Sequence, residues 1–242
     1  MTTDRARTLG TVSAPQGAMR RAAAGASLAA DHGEAFIREN CSLRPVPLVP
    51  EIVLHLADDA FRVWEEAERA ARGTELPPPF WAFAWAGGQA MARYILDHPE
   101  VVAGRPVLDL GSGSGVAAIA AALAGASTVL ASEVDPIAMA AIGLNAAAND
   151  VHIDVTGDVL DGSGNEAAVL LAADVWYERE LADRAITLLR RARDRGADVL
   201  VGDIGRAFLP RPLLRELAAY DVPVLAELEN TSVKRVLILT LL

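Results

Sequence analysis

The chain of 242 residues contains a single cysteine, Cys41. That excludes an intramolecular disulfide and a cysteine-based zinc site, and it fits a reducing compartment. Histidine is nearly as scarce. His32, His55, His98 and His152 lie scattered without ligand spacing and read as surface or packing residues, so no metal is expected. No apolar run reaches the roughly 20 residues that a membrane-spanning helix needs, because proline, glycine or charge interrupts each one. Positive charge is also short: 22 Lys and Arg stand against 32 Asp and Glu, for a formal net charge of −10. Nucleic-acid binding depends on neutralising phosphates with Lys and Arg, and no basic stripe offers that. An acidic surface favours a basic partner, such as a lysine-bearing protein segment, although it also serves plain solubility.

What remains is 52% hydrophobic and 22% charged, enough for one large α/β domain with a short extension. Its most informative run is Val107-Leu108-Asp109-Leu110-Gly111-Ser112-Gly113-Ser114-Gly115. Three apolar residues and one acid read as a buried parallel strand, which the glycines then turn into the apolar helix Val116 to Leu123. Gly111 and Gly113 permit backbone angles and close approaches that a Cβ would block. The helix points its first amides at whatever lies against the turn, so a nucleotide-type cofactor is the first inference. A dinucleotide site has the spacing G-x-G-x-x-G, with the pyrophosphate on the helix N-terminus. Here the spacing is G-x-G-x-G, the sixth position is Val116, and Asp109 stands two residues before the first glycine. A carboxylate there repels a pyrophosphate and suits a cationic amino group. The combination, carried by Asp109, Gly111, Ser112, Gly113 and Gly115, resembles motif I of the seven-strand S-adenosylmethionine methyltransferases, whose ligand carries an ammonium and a sulfonium.

Downstream residues extend the pattern. Ser127 to Glu133 reads as a second strand whose terminal acid falls 22 residues after Gly111, placed to accept both ribose hydroxyls. Asp135-Pro136 opens a helix, the acid as cap and the proline in the first turn. Ile153 to Asp158 reads as a third strand, and the methyltransferase resemblance implies that Asp158 meets the adenine amino group. Ala167 to Ala173 forms a fourth, running into Asp174-Val175-Trp176-Tyr177-Glu178. Open parallel sheets bind ligands outside the strand carboxyl ends near the switch point, so Asp174 and Tyr177 face the transferred methyl and the incoming amine. The alternative for Asp174 is a cap on the helix Leu181 to Arg193. Ala197 to Asp203 is a fifth strand, Arg211 to Ala219 a helix, and Val222 to Leu228 and Val233 to Leu241 a closing antiparallel pair. The fold class is α/β: a Rossmann-like, seven-stranded, mostly parallel sheet with helices on both faces and a C-terminal antiparallel hairpin.

The methyltransferase domain spans 101–242. Residues 33–100 form an N-terminal extension, with a strand in Glu51 to Leu56 and a helix over Asp58 to Ala71. Residues 1–32, poor in large apolar groups, read as a disordered tail. That tail has an arginine-rich, acid-poor character loosely like a transit peptide. The Ala-heavy composition suggests a bacterial cytoplasmic protein; the mitochondrial matrix is the corresponding expectation for a eukaryotic one. Aromatics make up only 5% of the chain, yet Phe80, Trp81, Phe83 and Trp85 fall within six residues and lead into Gly87-Gly88. The segment is either a buried staple or a pocket wall whose ring faces attract a sulfonium or ammonium. In the second case Trp85 lines the cofactor, Trp81 and Trp176 line the substrate, and the glycines let backbone approach the ligand.

Phe36-Ile37-Arg38-Glu39-Asn40, Pro45-Val46-Pro47, the run Pro79 to Gln89 and Asp174 to Glu178 together resemble the electron-transfer-flavoprotein β-subunit lysine methyltransferases, over roughly residues 34–242. The Asp174-x-x-Tyr177 element is similar to the motif after strand four in the wider protein-lysine methyltransferase group. The resemblance implies methyl transfer from S-adenosyl-L-methionine to a lysine ε-amine of a protein partner. A small-molecule N-methyltransferase and a catalytically silent cofactor-binding protein are the competing readings.

Overall fold

The computed structural model describes residues 30–70, 76–162, 166–225 and 231–242. The tail expected over 1–32 falls almost wholly outside the described residues, and from Ala30 the chain is helical. Six helices and nine strands make up the described residues. In the N-terminal part these are α1 (Ala30–Asn40), β1 (Ser42–Pro45), β2 (Val53–Leu56), α2 (Ala60–Ala70) and α3 (Ala86–Asp97). There follow β3 (Pro106–Leu110), α4 (Val116–Leu123), β4 (Thr128–Ser132), α5 (Pro136–Ala148), β5 (Asp154–Thr156), β6 (Val169–Ala173), α6 (Arg179–Asp194) and β7 (Asp198–Asp203). The chain closes on β8 (Leu214–Pro223) and β9 (Val233–Leu241).

The main sheet has the order β5-β4-β3-β6-β7-β9-β8. Its first five strands run parallel, and β9 inserts antiparallel between β7 and β8. Strands buried on both faces need apolar residues at consecutive positions. Val107 and Leu171 therefore enter a core under α3 and α4, whereas Leu108 and Leu170 enter the core under α6. α6 buries Ala182, Ala185, Leu189 and Ala192 at helical spacing and carries Arg191 and Arg193 in its last turn, where cations suit the dipole. α5 starts as expected: the Asp135 carboxylate accepts the Ile137 amide at 2.8 Å, and Pro136 occupies the first turn.

The N-terminal extension is tied to α5 by two asparagines one helical turn apart. Asn145 Oδ1 accepts the His55 amide at 2.8 Å, and Asn149 exchanges hydrogen bonds with the Val53 backbone. Asn145 also donates to the Ser114 carbonyl at 2.8 Å. One side chain thus couples the β1–β2 hairpin to the glycine turn.

The stretch after β7 differs from expectation. Arg211 to Ala219 forms no α-helix. After one 3-10 turn at Arg211–Leu213 it becomes the edge strand β8, which ends at Pro223; the rest of the strand expected over 222–228 lies mostly outside the described residues. Leu214-Arg215-Glu216-Leu217-Ala218-Ala219 has ordinary helix formers, but β9 pairs with β8 from Leu214 to Pro223, with one register shift between Glu216 and Ala218, and that tertiary pairing overrides local propensity. The closing antiparallel arrangement itself is as expected.

Candidate active site

The parallel strands β3, β4, β6 and β7 end on the same side of the sheet, and β3 and β6 meet at the switch point where strand order reverses. The turn after β3 is built on three left-handed glycines, Gly111 (φ 65), Gly113 (φ 55) and Gly115 (φ 84). The amides of Gly111 and Ser112 donate to the Ser132 carbonyl at the end of β4. Ser112 Oγ donates to Asp109 Oδ2 at 2.5 Å. Glu133 closes the turn from the other side: Oε2 accepts the Gly113 amide at 2.9 Å, and Oε1 accepts the amides of Val134 and Asp135. The space beside Gly113 is open, since a Cβ there would meet nothing within 4 Å.

Burial separates the acids. Asp109 lies 2% exposed beneath the turn, and burial pushes its carboxyl up to about 7, against the lowering effect of the Ser112 hydrogen bond. It braces the turn from below. Burial likewise raises Asp135 to about 6. Asp158 stands just beyond β5, where Oδ1 accepts the Leu160 amide and Oδ2 pairs with Arg184 of α6 at 2.7 Å.

Beyond β6 the backbone does something unusual. Asp174 has φ 60, one of two non-glycine residues with positive φ among the described residues. Such a conformation is held only where surroundings over-determine it. Asp174 Oδ2 accepts the Gly88 amide in the first turn of α3 at 2.9 Å, and Oδ1 lies 2.6 Å from Arg206 Nη1. The N-cap of α6 is Glu178, so Asp174 is not that helix's cap. Burial raises the Asp174 carboxyl, Arg206 pulls it down, and the neighbouring charge of Asp203 pushes it up again. Tyr177 packs against the Phe80 ring at 6.0 Å between centroids. Burial pushes its hydroxyl up to about 12, with Glu133 and Glu178 adding to the rise and Arg206 opposing it. The same hydroxyl thus feels the acid at the end of β4 and the cation beyond β7.

The aromatic run resolves into two environments. Trp85 stays partly exposed, its Nε1 donating to the Phe80 carbonyl at 2.8 Å, with the Phe80 and Phe83 rings edge-on to it. Trp85 also lines a cleft of about 190 Å³ with Arg44, Phe83, Gln89 and Leu225. Trp81 and Trp176, expected at the substrate, are instead sealed in the interior, 1% and 0% exposed. Trp81 packs edge-on against Phe36 in the cluster joining α1 to α5, and Trp176 sits in the core beneath α6. Neither ring presents a surface to a ligand. The role expected of the paired glycines also changes. A Cβ on Gly87 would lie 2.5 Å from Asp174 Oδ2 and 2.6 Å from the Gly202 carbonyl, so the glycine lets α3 close onto the ends of β6 and β7.

Arg206 and Asp203 were not expected from sequence. Asp203, 0% exposed at the end of β7, accepts the amides of Gly205 and Arg206 on Oδ1, while Oδ2 lies 2.7 Å from Arg206 Nη1. A signal was available: Val201-Gly202-Asp203-Ile204-Gly205 repeats the pattern of a strand ending in an acid and a glycine turn seen at Asp109 to Gly111.

The strand order, the left-handed glycine turn after β3 and the acid ending β4 define a seven-strand, class I methyltransferase. S-adenosylmethionine is its cofactor, and the donor set suits it: an open glycine turn with a carboxylate at its rim. A family model for ribosomal protein L11 methyltransferase matches residues 90–185. Electron transfer flavoprotein beta subunit lysine methyltransferase of Xenopus laevis is 41% identical over 189 residues, covering 75% of this chain and 74% of the relative. The protein of the same name from Mus musculus is 37% identical over 208 residues, covering 81% and 79%. A crystal structure of ribosomal protein L11 methylase from Lactobacillus delbrueckii subsp. bulgaricus aligns with a TM-score of 0.48 and 20% identity, over 66% of this chain and 80% of that one. The chain belongs to the electron transfer flavoprotein beta subunit lysine methyltransferase family, and is accordingly an S-adenosylmethionine-dependent protein-lysine N-methyltransferase.

Proposed function

We propose that the methyl acceptor is a lysine ε-amine on the β subunit of electron transfer flavoprotein, the protein its relatives are named for. The observation that carries the reading is Asp174: a carboxylate anchored by Gly88 and Arg206 at the switch point, with lone pairs still unused. In this reading Gly111, Ser112, Gly113 and Gly115 cradle the cofactor. Glu133 receives the ribose hydroxyls, Asp158 borders the adenine, and Trp85 forms a wall. S-adenosylmethionine, when bound, supplies an electrophilic methyl on a sulfonium.

A lysine ammonium, with a pKa of about 10.4, has no lone pair and must lose a proton to water before attack. Asp174 accepts a hydrogen bond from the neutral amine and aligns its lone pair. That lone pair would take the methyl carbon of the bound cofactor, the sulfur leaving with the electrons of the broken bond, and holding nucleophile and methyl in position would supply most of the acceleration. Tyr177, protonated at neutral pH, borders the same space as a hydrogen-bond donor. The composition supports a bacterial cytoplasmic setting. The test is incubation with methyl-labelled cofactor and purified electron transfer flavoprotein, followed by mass spectrometry. Label on a β-subunit lysine is expected, and label only on another protein or on a metabolite overturns the assignment.

A further inference from the structure

Asp174, Arg206 and Asp203 form a buried chain. One nitrogen, Arg206 Nη1, lies 2.6 Å from Asp174 Oδ1 and 2.7 Å from Asp203 Oδ2. The side chains are 13%, 18% and 0% exposed respectively. Asp203 is fixed by two backbone amides on its other oxygen, so the guanidinium is held on a rigid anchor and reaches across to Asp174. With both carboxylates ionised, the two against one guanidinium carry a formal charge of −1, and burial, which raises the Asp174 carboxyl, works against that state while Arg206 favours it. A buried group meant only for stability would gain from a matched pair, because an uncompensated charge away from water is costly. The surplus sits next to the left-handed backbone of Asp174, at the ligand end of the sheet.

We propose that Arg206 is a positioning residue for the methyl acceptor: by bridging Asp174 to Asp203 it keeps the Asp174 carboxylate ionised and turned to the site, so that the surplus charge of the three groups selects a nitrogen that can donate hydrogen bonds. This rests on the reading of Asp174 as the group that receives the amine. A guanidinium suits the task because it does not give up its proton in a protein. Removing it leaves two neighbouring carboxylates with no cation between them, and burial together with mutual repulsion then drives Asp174 to take up a proton. The charged groups acting on Asp174 are Arg206 and Asp203, and the Gly88 amide completes its surroundings.

The test compares wild type with Arg206→Met and Arg206→Lys as full-length proteins. Aspartate labelled at the carboxyl carbon is followed by NMR against pH without substrate, the Asp174 signal being identified by its loss in Asp174→Asn. In Arg206→Met the Asp174 carboxyl is expected to titrate about one pH unit or more higher than in wild type. Methyl transfer near neutral pH falls by about tenfold or more and recovers partly as pH rises. Arg206→Lys restores the titration position and part of the rate, and S-adenosylhomocysteine affinity by calorimetry stays within about twofold in both variants. An unshifted Asp174 signal with a rate loss equal at every pH would make Arg206 merely structural and overturn the proposal, as would a wild-type rate in Arg206→Met. Should Arg206→Met fail to fold, Asp203→Asn/Arg206→Met removes both charges of the bridging pair and must show a smaller upward titration, since burial then acts without the repulsion from Asp203. Because the titration is read without substrate, it stands apart from the flavoprotein assignment, which fails only if wild type labels no β-subunit lysine.

Discussion

Replacing Asp174 with asparagine separates the site chemistry from ordinary helix capping. Both partners of the carboxylate are donors: the Gly88 amide to Oδ2 at 2.9 Å and Arg206 Nη1 to Oδ1 at 2.6 Å. An asparagine has a single oxygen, so its amide nitrogen must point a donor at one of them. An unmade buried hydrogen bond costs about 1–3 kcal/mol. Loss of the charge pulls the other way, since Arg206 and Asp203 then form a neutral pair. A net loss of about 1–2 kcal/mol is expected, which in a chain of this size lowers Tm by about 2–8 °C. Turnover should fall by about tenfold or more, equivalent to about 1.4 kcal/mol of transition-state stabilisation, because the amine loses its anionic acceptor. S-adenosylhomocysteine affinity should change little, as Glu133 and the glycine turn lie on other strands. Thermal melts, calorimetry and transfer of labelled methyl to the protein substrate read the three quantities. Had Asp174 been a helix cap, asparagine would serve equally well. A variant with an unchanged melt and full methylation would refute the reasoning.

Gly87→Ala at an ordinary helix position would gain about 1 kcal/mol from propensity. Here the added methyl meets Asp174 and the Gly202 carbonyl, so overpacking of about 1–3 kcal/mol should reverse the sign in a thermal melt and reduce turnover as well. Trp81→Ala should cost about 3–5 kcal/mol of stability, read by denaturant unfolding. It should leave the KM for the protein substrate nearly unchanged where the variant remains folded, because the ring is sealed from the site. Asp109 and Asp135 have folded pKa values of about 7 and about 6. Their unfolded values lie near 3.9, so the folded protein holds extra protons between about pH 4 and pH 7, and stability contributed there declines as pH rises through that window. Asp109→Asn should flatten that slope in Tm against pH, and an unchanged slope would refute the assignment.

Features that depend on a residue and its chain neighbours were legible without coordinates. The left-handed glycines after β3, the Asp135 cap with Pro136 behind it and the unbroken apolar strands each follow from local sterics or from burial on two faces. The acid at the end of β4 was legible for the same reason, since a strand fixes where its last side chain stands. Other features exist only because distant segments meet. Trp81, Trp85 and Trp176 look alike as aromatics near glycines and acids. Packing alone decided that Trp85 keeps a surface while Trp81 joins α1 to α5 and Trp176 fills the core under α6. β8 carries helix-forming residues and became a strand because β9 offered a partner from Leu214 to Pro223, broken by a single register shift. Asp174 could be placed at the switch point from its strand, but its partners lie 86 and 32 residues away in Gly88 and Arg206. The sequence by itself determined the cofactor turn, whose geometry is local. The tertiary structure decided the orientation and surroundings of the Asp174 carboxylate, because both depend on groups that only folding brings within hydrogen-bond reach.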